Sequence, residues 1–562
     1  MDTQTIYRRR WVILSVLIVG LLAIVIDNTV LNVALKTIAE PRGGLGASQS
    51  QLEWAINSYT LVFAGLLFTF GVIGDKIGRK RMLMIGLVLF GLASLLSAYS
   101  RTPEQLIFAR AAMGLGGAAV MPQTLSIISN VFEPAERPRA IGLWATAVGI
   151  GIATGPVLGG VLLAHFWWGS VFLINVPVTA FGVIAAAILV PESRNHETGG
   201  IDYVGVLLSI AGLVLLVYGI VQGGDTASWL RPDVLGPIAG GLAVLAAFAW
   251  YEMRIAHPSL DVRLFRDRRL SASVGAIALA FFGMGGVFFF TSFYLQNVRG
   301  YSPLAAGLLT VPFAVGQLLA SPRSAGLVRR YGAKVPSTVG MFVMAAVIAC
   351  YATLGTATPI WVLGLMFAVQ GAAIGVIMPT ATAAVMDVLP RERAGAGSAL
   401  TNTSRQVAVA LSVAVLGSIL AEFYRNALSP TLAGLPAAAR GAASASITAT
   451  QAVAQQLGSA GRPLLVPAND AFVHAMHITT LVAAILALAG GFVVLRWMPG
   501  KAQPAAAAAS GSPAAAAASG SPAAAAASGS RAAEIAAASE DSYEAELAIM
   551  EENMLNTANR EG

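Results

Sequence analysis

The feature that most constrains the fold of this chain is a series of fourteen apolar runs, each long enough to cross a lipid bilayer as a helix. Hydrophobic residues make up 56% of the 562 residues and charged residues only 11%, which is too little polar surface for a soluble globule. The runs therefore predict an all-α polytopic membrane protein. They cover residues 11–35, 53–73, 82–100, 104–130, 139–163, 170–190, 201–221, 235–251, 271–294, 304–328, 337–355, 359–386, 397–421 and 475–498.

The distribution of Lys and Arg predicts how these runs are oriented. Of the 35 Lys and Arg residues, 23 lie in segments or at the adjoining run ends on the face that carries both termini, and 8 lie in loops on the other face. Cytoplasmic segments carry an excess of these residues, so we expect a multi-pass protein of the cytoplasmic (inner) membrane with both termini in the cytoplasm. The formal charge of +7 is then a signal of topology, and we expect no nucleic-acid partner.

A charged turn separates the second and third runs and reads Gly-Asp-Lys-Ile-Gly-Arg-Lys-Arg over residues 74–81. Its two glycines permit a sharp reversal of the chain, and Asp75 can accept hydrogen bonds from Arg79 or from a neighbouring helix end. From the spacing alone, a basic loop that only sets topology is an equally good interpretation.

At this position between spans, the turn resembles the signature loop of the major facilitator superfamily, whose members move small solutes by alternating access. In that family the loop latches the two halves together on the cytoplasmic side. The resemblance gives Asp75 and Arg79 the central part in this gate, with Gly74, Gly78 and Lys80 completing the motif.

Two stretches repeat along the chain: residues 120–124, around Pro122, recur around Pro379, and residues 326–332 echo the signature loop. We therefore expect the major facilitator fold, with two six-helix bundles and a substrate cavity between them. Two extra helices between the bundles resemble the fourteen-helix drug:proton antiporter branch, of the EmrB, QacA and LfrA type. The expected domains are an N-terminal bundle (1–195), two inserted helices (196–265) and a C-terminal bundle (266–500).

Two further segments lie outside the predicted spans. The outer loop 422–474 is either a partly helical flap or, as we prefer, a tolerated insertion. Residues 501–530 contain three copies of Pro-Ala-Ala-Ala-Ala-Ala-Ser-Gly-Ser and are interpreted as a linker to an acidic helical tail, residues 531–562. We interpret both as appended, with a natural low-complexity tail as the alternative.

Asp27 and Arg110 are ionisable residues inside apolar runs, and such residues are functional candidates by default. At about 1.5 Å per residue they lie about 12 Å and about 9 Å from the outer surface, so the two opposite charges have similar depth. They form either a proton-coupling pair or a static pair that fixes helix register. The resemblance favours proton coupling, because Asp27 lies in the branch's first-span motif and Arg110 matches the arginine of its fourth-span motif. Lys36 stands where the first-span motif usually ends in proline.

The fifth run contains small residues at four-residue spacing and an internal proline, which permit close helix packing and bend the helix. Packing alone accounts for this pattern. The segment also resembles the antiporter motif that marks exporters of the superfamily, which implies a hinge role for its members: Gly151, Gly155, Pro156, Gly159 and Gly160.

Substrate-binding candidates combine aromatic faces, which suit flat cations, with polar groups on other spans. The ninth run is aromatic all around its helix, so we expect several of its rings to face lipid. Arg405 either faces the cavity or extends to the inner surface. Glu53, at the start of the second run, is expected to be solvated. The candidates are Asn57, Tyr59, Gln123, Phe282, Phe289, Phe293, Tyr294, Gln317 and Arg405.

The sequence contains no phosphate-binding Gly-Lys-Ser/Thr loop and no His/Cys cluster, so we expect no bound nucleotide, no cofactor and no metal. A proton gradient as the energy source is what the resemblance implies. The resemblance implies a proton-coupled antiporter that exports amphipathic, often cationic drugs and dyes, works as a monomer in the bilayer and is not an enzyme. The alternatives are an exporter of one endogenous metabolite or lipid, and a membrane-embedded sensor or enzyme.

Overall fold

The computed structural model describes residues 3–133, 136–194, 202–226, 228–255, 262–388 and 394–498. Within these ranges all regular secondary structure is helical, and 14 helical segments are long and apolar enough to cross a membrane. The prediction of a fourteen-span all-α protein is confirmed. The predicted boundary at residues 195–196, the linker 501–530 and the tail 531–562 lie outside the described residues.

The first half of the chain contains seven helices, because the sixth span is interrupted at Ile174. They are α1 (Thr3–Ala39), α2 (Gln49–Ile77), α3 (Arg79–Ala98), α4 (Pro103–Val131), α5 (Arg137–His165), α6 (Ser170–Leu173) and α7 (Asn175–Leu189). Two inserted helices follow: α8 (Tyr203–Thr226) and α9 (Pro232–Glu252).

The second half repeats this order and adds helices to the loop before the last span. Its helices are α10 (Arg268–Phe293), α11 (Pro303–Leu308), α12 (Val311–Tyr331), α13 (Lys334–Cys350), α14 (Ile360–Val388), α15 (Ala394–Leu432), α16 (Ala437–Ser444), α17 (Ile447–Gln456) and α18 (Leu465–Trp497). Helix α10 continues into a π-helical turn, Tyr294–Val298.

Local chemistry accounts for several helix ends and relates the two halves. A capping box begins α2, since Ser48 Oγ accepts from the Gln51 backbone N–H and the Gln51 side chain accepts from the Ser48 N–H. Gly78, with φ +118°, separates α2 from α3, and Gly332, with φ +77°, separates α12 from α13. Both values lie in the region that favours glycine. The signature loop and its echo therefore make the same kind of turn.

Helices α1 to α7 pack against one another, as do α10 to α18, so the chain forms two bundles. We call the face that carries the turn at Gly78 the signature-loop face and the other one the opposite face. The bundles contact each other at the opposite face. There Lys36 Nζ donates to the Gln296 carbonyl (3.0 Å) and Gln296 Nε2 donates to the Val33 carbonyl (3.0 Å), which joins the end of α1 to the π-helical turn.

The inserted helix α8 packs on both bundles, against α2 and against α15. Ser418 of α15 donates to the Ile220 carbonyl (3.0 Å), and Arg425 donates to the Gly224 carbonyl (3.1 Å). On the α2 side, a Cβ added at Gly65 would lie 2.3 Å from Ile210. The inserted hairpin therefore covers the line along which α2 and α15 meet.

The loop before the last span is helical and packed, as the flap interpretation requires. Thr448 of α17 accepts from Asn297 Nδ2 (2.8 Å), and Gln451 Nε2 donates to the Asn297 carbonyl (3.0 Å). Helix α17 thereby satisfies polar groups at the end of α10. The described loop is thus partly helical, and the choice between a flap and a tolerated insertion stays a prediction.

Replacing Gly78 by Ala tests the turn that α2 and α3 share. The added Cβ would lie 2.5 Å from the Glu192 carboxylate on a backbone with φ +118°, and such strain costs about 1–3 kcal/mol. We expect a lower midpoint of thermal unfolding in detergent. Gly142→Ala in α5 is the matched control, because its Cβ meets nothing within 4 Å; an equal loss in both variants would contradict the argument.

Candidate functional site

An ion pair between Asp27 of α1 and Arg110 of α4 lies at the centre of the N-terminal bundle. Arg110 Nη1 donates to Asp27 Oδ2, and each side chain is only 1% exposed. Two apolar helices thus bring their single intramembrane charges together. A pair buried to this extent is favourable only when further hydrogen bonds satisfy the remaining polar atoms.

Helix α2 supplies part of that support to Arg110. The arginine Nε donates to the Ala55 carbonyl at 3.1 Å, and the guanidinium carbon lies 4.4 Å from the centre of the Tyr59 ring. The Tyr59 hydroxyl in turn accepts from Asn28 Nδ2 of α1 at 3.2 Å. The pair is therefore linked to α1, α2 and α4 at once.

Asn175, the first residue of α7, completes the site and is a residue that the sequence did not point to. Its side-chain nitrogen donates to Asp27 Oδ1 at 3.0 Å and to Ser94 Oγ of α3 at 3.3 Å. Both carboxylate oxygens of Asp27 therefore have donors. The available signal was a polar residue at the start of an otherwise apolar run, just after the break at Ile174.

Glycines of α5 form the surface on which α1 lies beside this site. A Cβ added at Gly155 would lie 1.8 Å from Thr29 Oγ1, and one added at Gly151 would lie 2.9 Å from Val25. Gly159 faces Val30 in the same way. The four-residue spacing thus serves close packing of α5 on α1, within a few residues of Asp27.

The end of the same motif faces the other bundle. A Cβ on Gly160 would lie 2.5 Å from Leu304 of α11, and one on Gly307 would lie 2.2 Å from the Pro156 carbonyl. Backbones of the two bundles approach closely here, near the opposite face. The motif therefore touches both the ion pair's helix and the contact between bundles.

The signature loop makes its hydrogen bonds within the N-terminal bundle in this conformation. Asp75 accepts from Arg79 Nε at 2.6 Å, and Arg79 Nη1 donates to the Ser126 carbonyl at 3.4 Å. Glu192, after α7, accepts from the Lys80 backbone N–H (3.2 Å) and pairs with Arg81 (3.5 Å). Glu192 was missed because nothing in its sequence links it to the loop.

Two of the polar substrate candidates hold the N-terminal bundle together. Tyr59 belongs to the ion-pair site described above. Gln123 donates to the Phe70 carbonyl at 2.8 Å and lies against Gly74, where an added Cβ would be 2.3 Å away.

In the described ranges no group of three or more His, Cys, Asp or Glu side chains could hold a metal ion.

The aromatic residues of α10 and its π-helical turn lie inside the C-terminal bundle, so the expectation that several face lipid was wrong. Phe289 and Phe293 are buried against each other with ring centres 5.5 Å apart, and Tyr294 donates to the Gly355 carbonyl at 2.7 Å. The cause is that α13, α14, α15 and α18 surround α10. Half-buried candidates are Phe282, Gln317 and Arg405, whose guanidinium lies 5.4 Å from the Phe281 ring centre.

Glu53 and Asn57 of α2 are buried where α2 meets α15, with 2% and 0% of their surface exposed. The expectation that Glu53 is solvated was wrong, because α15 of the other bundle covers this end of α2. Within the described part of the chain, neither side-chain polar atom of Asn57 has a hydrogen-bond partner, and Glu53 Oε2 has none either.

Comparison with known proteins gives one family. A model described as Major Facilitator Superfamily matches residues 17–413. The multidrug efflux pump LfrA of Mycolicibacterium smegmatis is 35% identical over 491 residues, which are 86% of this chain and 96% of the relative. The methyl viologen resistance protein SmvA of Salmonella typhimurium is 32% identical over 489 residues, 86% of this chain and 97% of the relative.

A third relative, the puromycin resistance protein pur8 of Streptomyces alboniger, is 33% identical over 73% of this chain and 82% of the relative. Two related six-span bundles with two inserted spans are the architecture of a multi-pass membrane transporter. The chain belongs to the Major Facilitator Superfamily, and it is a transporter of small molecules rather than an enzyme.

Solved structures support the same fold. A bacterial homologue of the human lysosomal transporter Spinster, in an inward-facing and unoccupied conformation, aligns with a TM-score of 0.60 at 18% identity, covering 87% of this chain and 98% of that one. A transporter of the POT family aligns with a TM-score of 0.59 at 13% identity, covering 86% and 95%. These likenesses concern the fold alone.

Replacing one partner of the ion pair should lower the free energy of unfolding more than replacing both. Arg110→Leu leaves the Asp27 carboxylate buried without its cation, and breaking a buried pair costs about 3–5 kcal/mol. The double variant Asp27→Leu/Arg110→Leu should recover part of this loss. Unfolding in mixed detergent micelles measures both; additive losses would show that the two side chains do not interact.

Gly155→Ala should separate α5 from α1. Its Cβ would lie 1.8 Å from Thr29 Oγ1, and overpacking of this kind costs about 1–3 kcal/mol. The control Gly149→Ala, on the same helix, makes an ordinary contact of 3.4 Å with Leu318 and should be tolerated. The two thermal unfolding midpoints compare them directly, and equal midpoints would contradict close α1–α5 packing.

Proposed function

We propose that this transporter exports amphipathic, often cationic drugs and dyes across the cytoplasmic membrane by alternating access, in exchange for protons. It works as a monomer, and the proton gradient is its energy source. The observation that carries the proposal is the buried Asp27–Arg110 pair, held by Asn175 and by α2 inside an otherwise apolar bundle. Ionisable residues at such depth mark proton or ion pathways in transporters.

Proteins that are similar to this one over most of its length support drugs as the class of substrate. Their names refer to multidrug efflux and to resistance to methyl viologen and puromycin. Flat cations bind aromatic faces, and Phe281 and Phe282 of α10 are candidates for that contact. Arg405 of α15, whose guanidinium lies 5.4 Å from the Phe281 ring centre, is a candidate for polar contact beside them. Half-buried Gln317 remains a candidate as well. The buried candidates Asn57, Phe289, Phe293 and Tyr294 would have to become exposed in another conformation.

The pair suggests how proton binding would change the conformation. A proton on Asp27 removes the charge that Arg110 faces, while Arg110 keeps the Ala55 carbonyl and the Tyr59 ring. Helix α1 is then held to α4 less strongly and can shift along the glycine surface of α5. Drug binding favours the other conformer, and by linkage each ligand weakens the other.

For orientation, we propose that the signature-loop face is cytoplasmic and that both termini lie there. The support is the bias of Lys and Arg towards that face. In this orientation the bundles are in contact on the outer side, and the signature loop bonds within its own bundle on the inner side.

Transport of ethidium into proteoliposomes with an acidic interior tests the proposal. The wild type should accumulate ethidium as protons leave, and Asp27→Asn should fall to the rate of protein-free liposomes. Asp233→Asn is the matched control, since this carboxylate is exposed and pairs with Arg231 (2.9 Å) at the start of α9. It should transport as the wild type does.

Other results of the ethidium experiment would contradict particular parts of the proposal. Equal transport by Asp27→Asn and the wild type would remove Asp27 from proton coupling. If the wild type moves no cation under any gradient, the drug assignment fails and export of one endogenous metabolite or lipid becomes the better proposal. A truncation after residue 503 should keep its transport, because the tail is interpreted as appended.

A further inference from the structure

Glu53 is a buried ionisable residue that the proposed coupling mechanism does not use. It lies on α2 near the outer face, where α2 meets α15 of the other bundle. A Cβ added at Gly417 of α15 would lie 2.2 Å from Glu53 Oε1, and Gln49 Nε2 donates to the Gly417 carbonyl at 3.0 Å. The Glu53 carboxyl is therefore enclosed by the contact between the two bundles, which we call the α2–α15 seam.

The hydrogen bonding at this seam is incomplete. Among the residues that the structure describes, Glu53 Oε1 accepts only a long bond from Gln49 Nε2 (3.5 Å), and Oε2 has no partner. One turn along α2, both side-chain polar atoms of Asn57 are also unpaired although the residue is fully buried. Buried polar groups are nearly always paired with protein or water, so these three atoms are places that would bind water when the two bundles separate.

The charged residues of the packed helices do not compensate Glu53. Asp225, near the end of α8, adds a second negative charge close by. Glu422 of α15 accepts from Trp229 Nε1 at 2.8 Å, and Arg425 donates to the Gly224 carbonyl at 3.1 Å. An ionised Glu53 would thus be a buried charge without a cation, which is strongly unfavourable.

We propose that Glu53 is a proton-binding site of the outer gate, which binds a proton when the α2–α15 seam closes and releases it to water when the seam opens. The bound proton fills one oxygen and removes the charge, so the closed seam holds a neutral carboxyl. Closure of the gate is then linked to proton activity outside. This inference rests on the alternating access of the proposed function, but not on the drug or on Asp27.

Distances between spin labels at Arg42 and Asn426, across the seam, test the proposal without drug or gradient. Both residues are exposed and are replaced by cysteine to carry the labels. Cys350→Ser first removes the single natural cysteine. In lipid nanodiscs the short-distance population should grow as the pH falls from about 8 to about 4, a range that ends near the ordinary pKa of a glutamate carboxyl, about 4.3. Glu53→Gln should stay in the short-distance population at both pH values.

Two controls make the result specific. Glu104→Gln changes an exposed outer carboxylate of α4 that accepts from Gln51 (2.6 Å) away from the seam, and it should keep the wild-type pH dependence. Gly417→Ala should reduce the short-distance population at both pH values, because its Cβ displaces the Glu53 carboxyl. It should still respond to pH, which would preserve the test if Glu53→Gln did not fold.

Wild-type pH dependence in Glu53→Gln would overturn the proposal, as would a wild type whose distances do not change with pH. Asp27→Asn separates this inference from the proposed coupling. If its seam responds to pH like the wild type while its transport is lost, both assignments stand. If Asp27→Asn removes the pH response of the seam, the response belongs to the ion pair and Glu53 is not the site.

Discussion

The buried Asp27–Arg110 pair is the interaction on which the N-terminal bundle depends. A charge within an apolar helix is tolerated only when its partners are in place, and here they come from five helices: α1, α2, α3, α4 and α7. This requirement restricts how these helices can be arranged far more than apolar packing does, because Leu and Val surfaces accept many registers. The pair is therefore a structural constraint on the bundle and, in the proposed function, the group that couples protons to transport.

Much of the fold could be predicted because lipid imposes a simple physical rule. Backbone groups in the bilayer must be satisfied within a helix, so length and apolarity mark spans, and the predicted runs match the helical segments in number and position. The special residues at turns are equally local. Gly78 and Gly332 stand at turns with positive φ, which other residues do not adopt easily. Pro122 and Pro379 lie inside the corresponding helices α4 and α14.

The parts of the site that could not be predicted depend on which helices are neighbours. Asn175 gains a role only because α7 lies beside α1, and Glu53 is buried only because α15 of the other bundle covers it. The aromatic run of α10 is inside for the same reason. Asp27 and Arg110 could be placed together because helix rise gives them similar depth and their charges are opposite. A neutral polar residue has a depth too, but no charge that selects its partner.

The folded ion pair is electrically neutral, and this has a consequence for how the transporter experiences the membrane potential. When Asp27 carries a proton, the charge of Arg110 is no longer balanced inside the bilayer. Moving one elementary charge across 100 mV is worth about 2.3 kcal/mol, so even a partial joint displacement of α1 and α4 along the membrane normal would then perform electrical work. With Asp27 ionised, the same displacement moves a dipole instead of a charge. The protonated half of the cycle would therefore be the voltage-sensitive one.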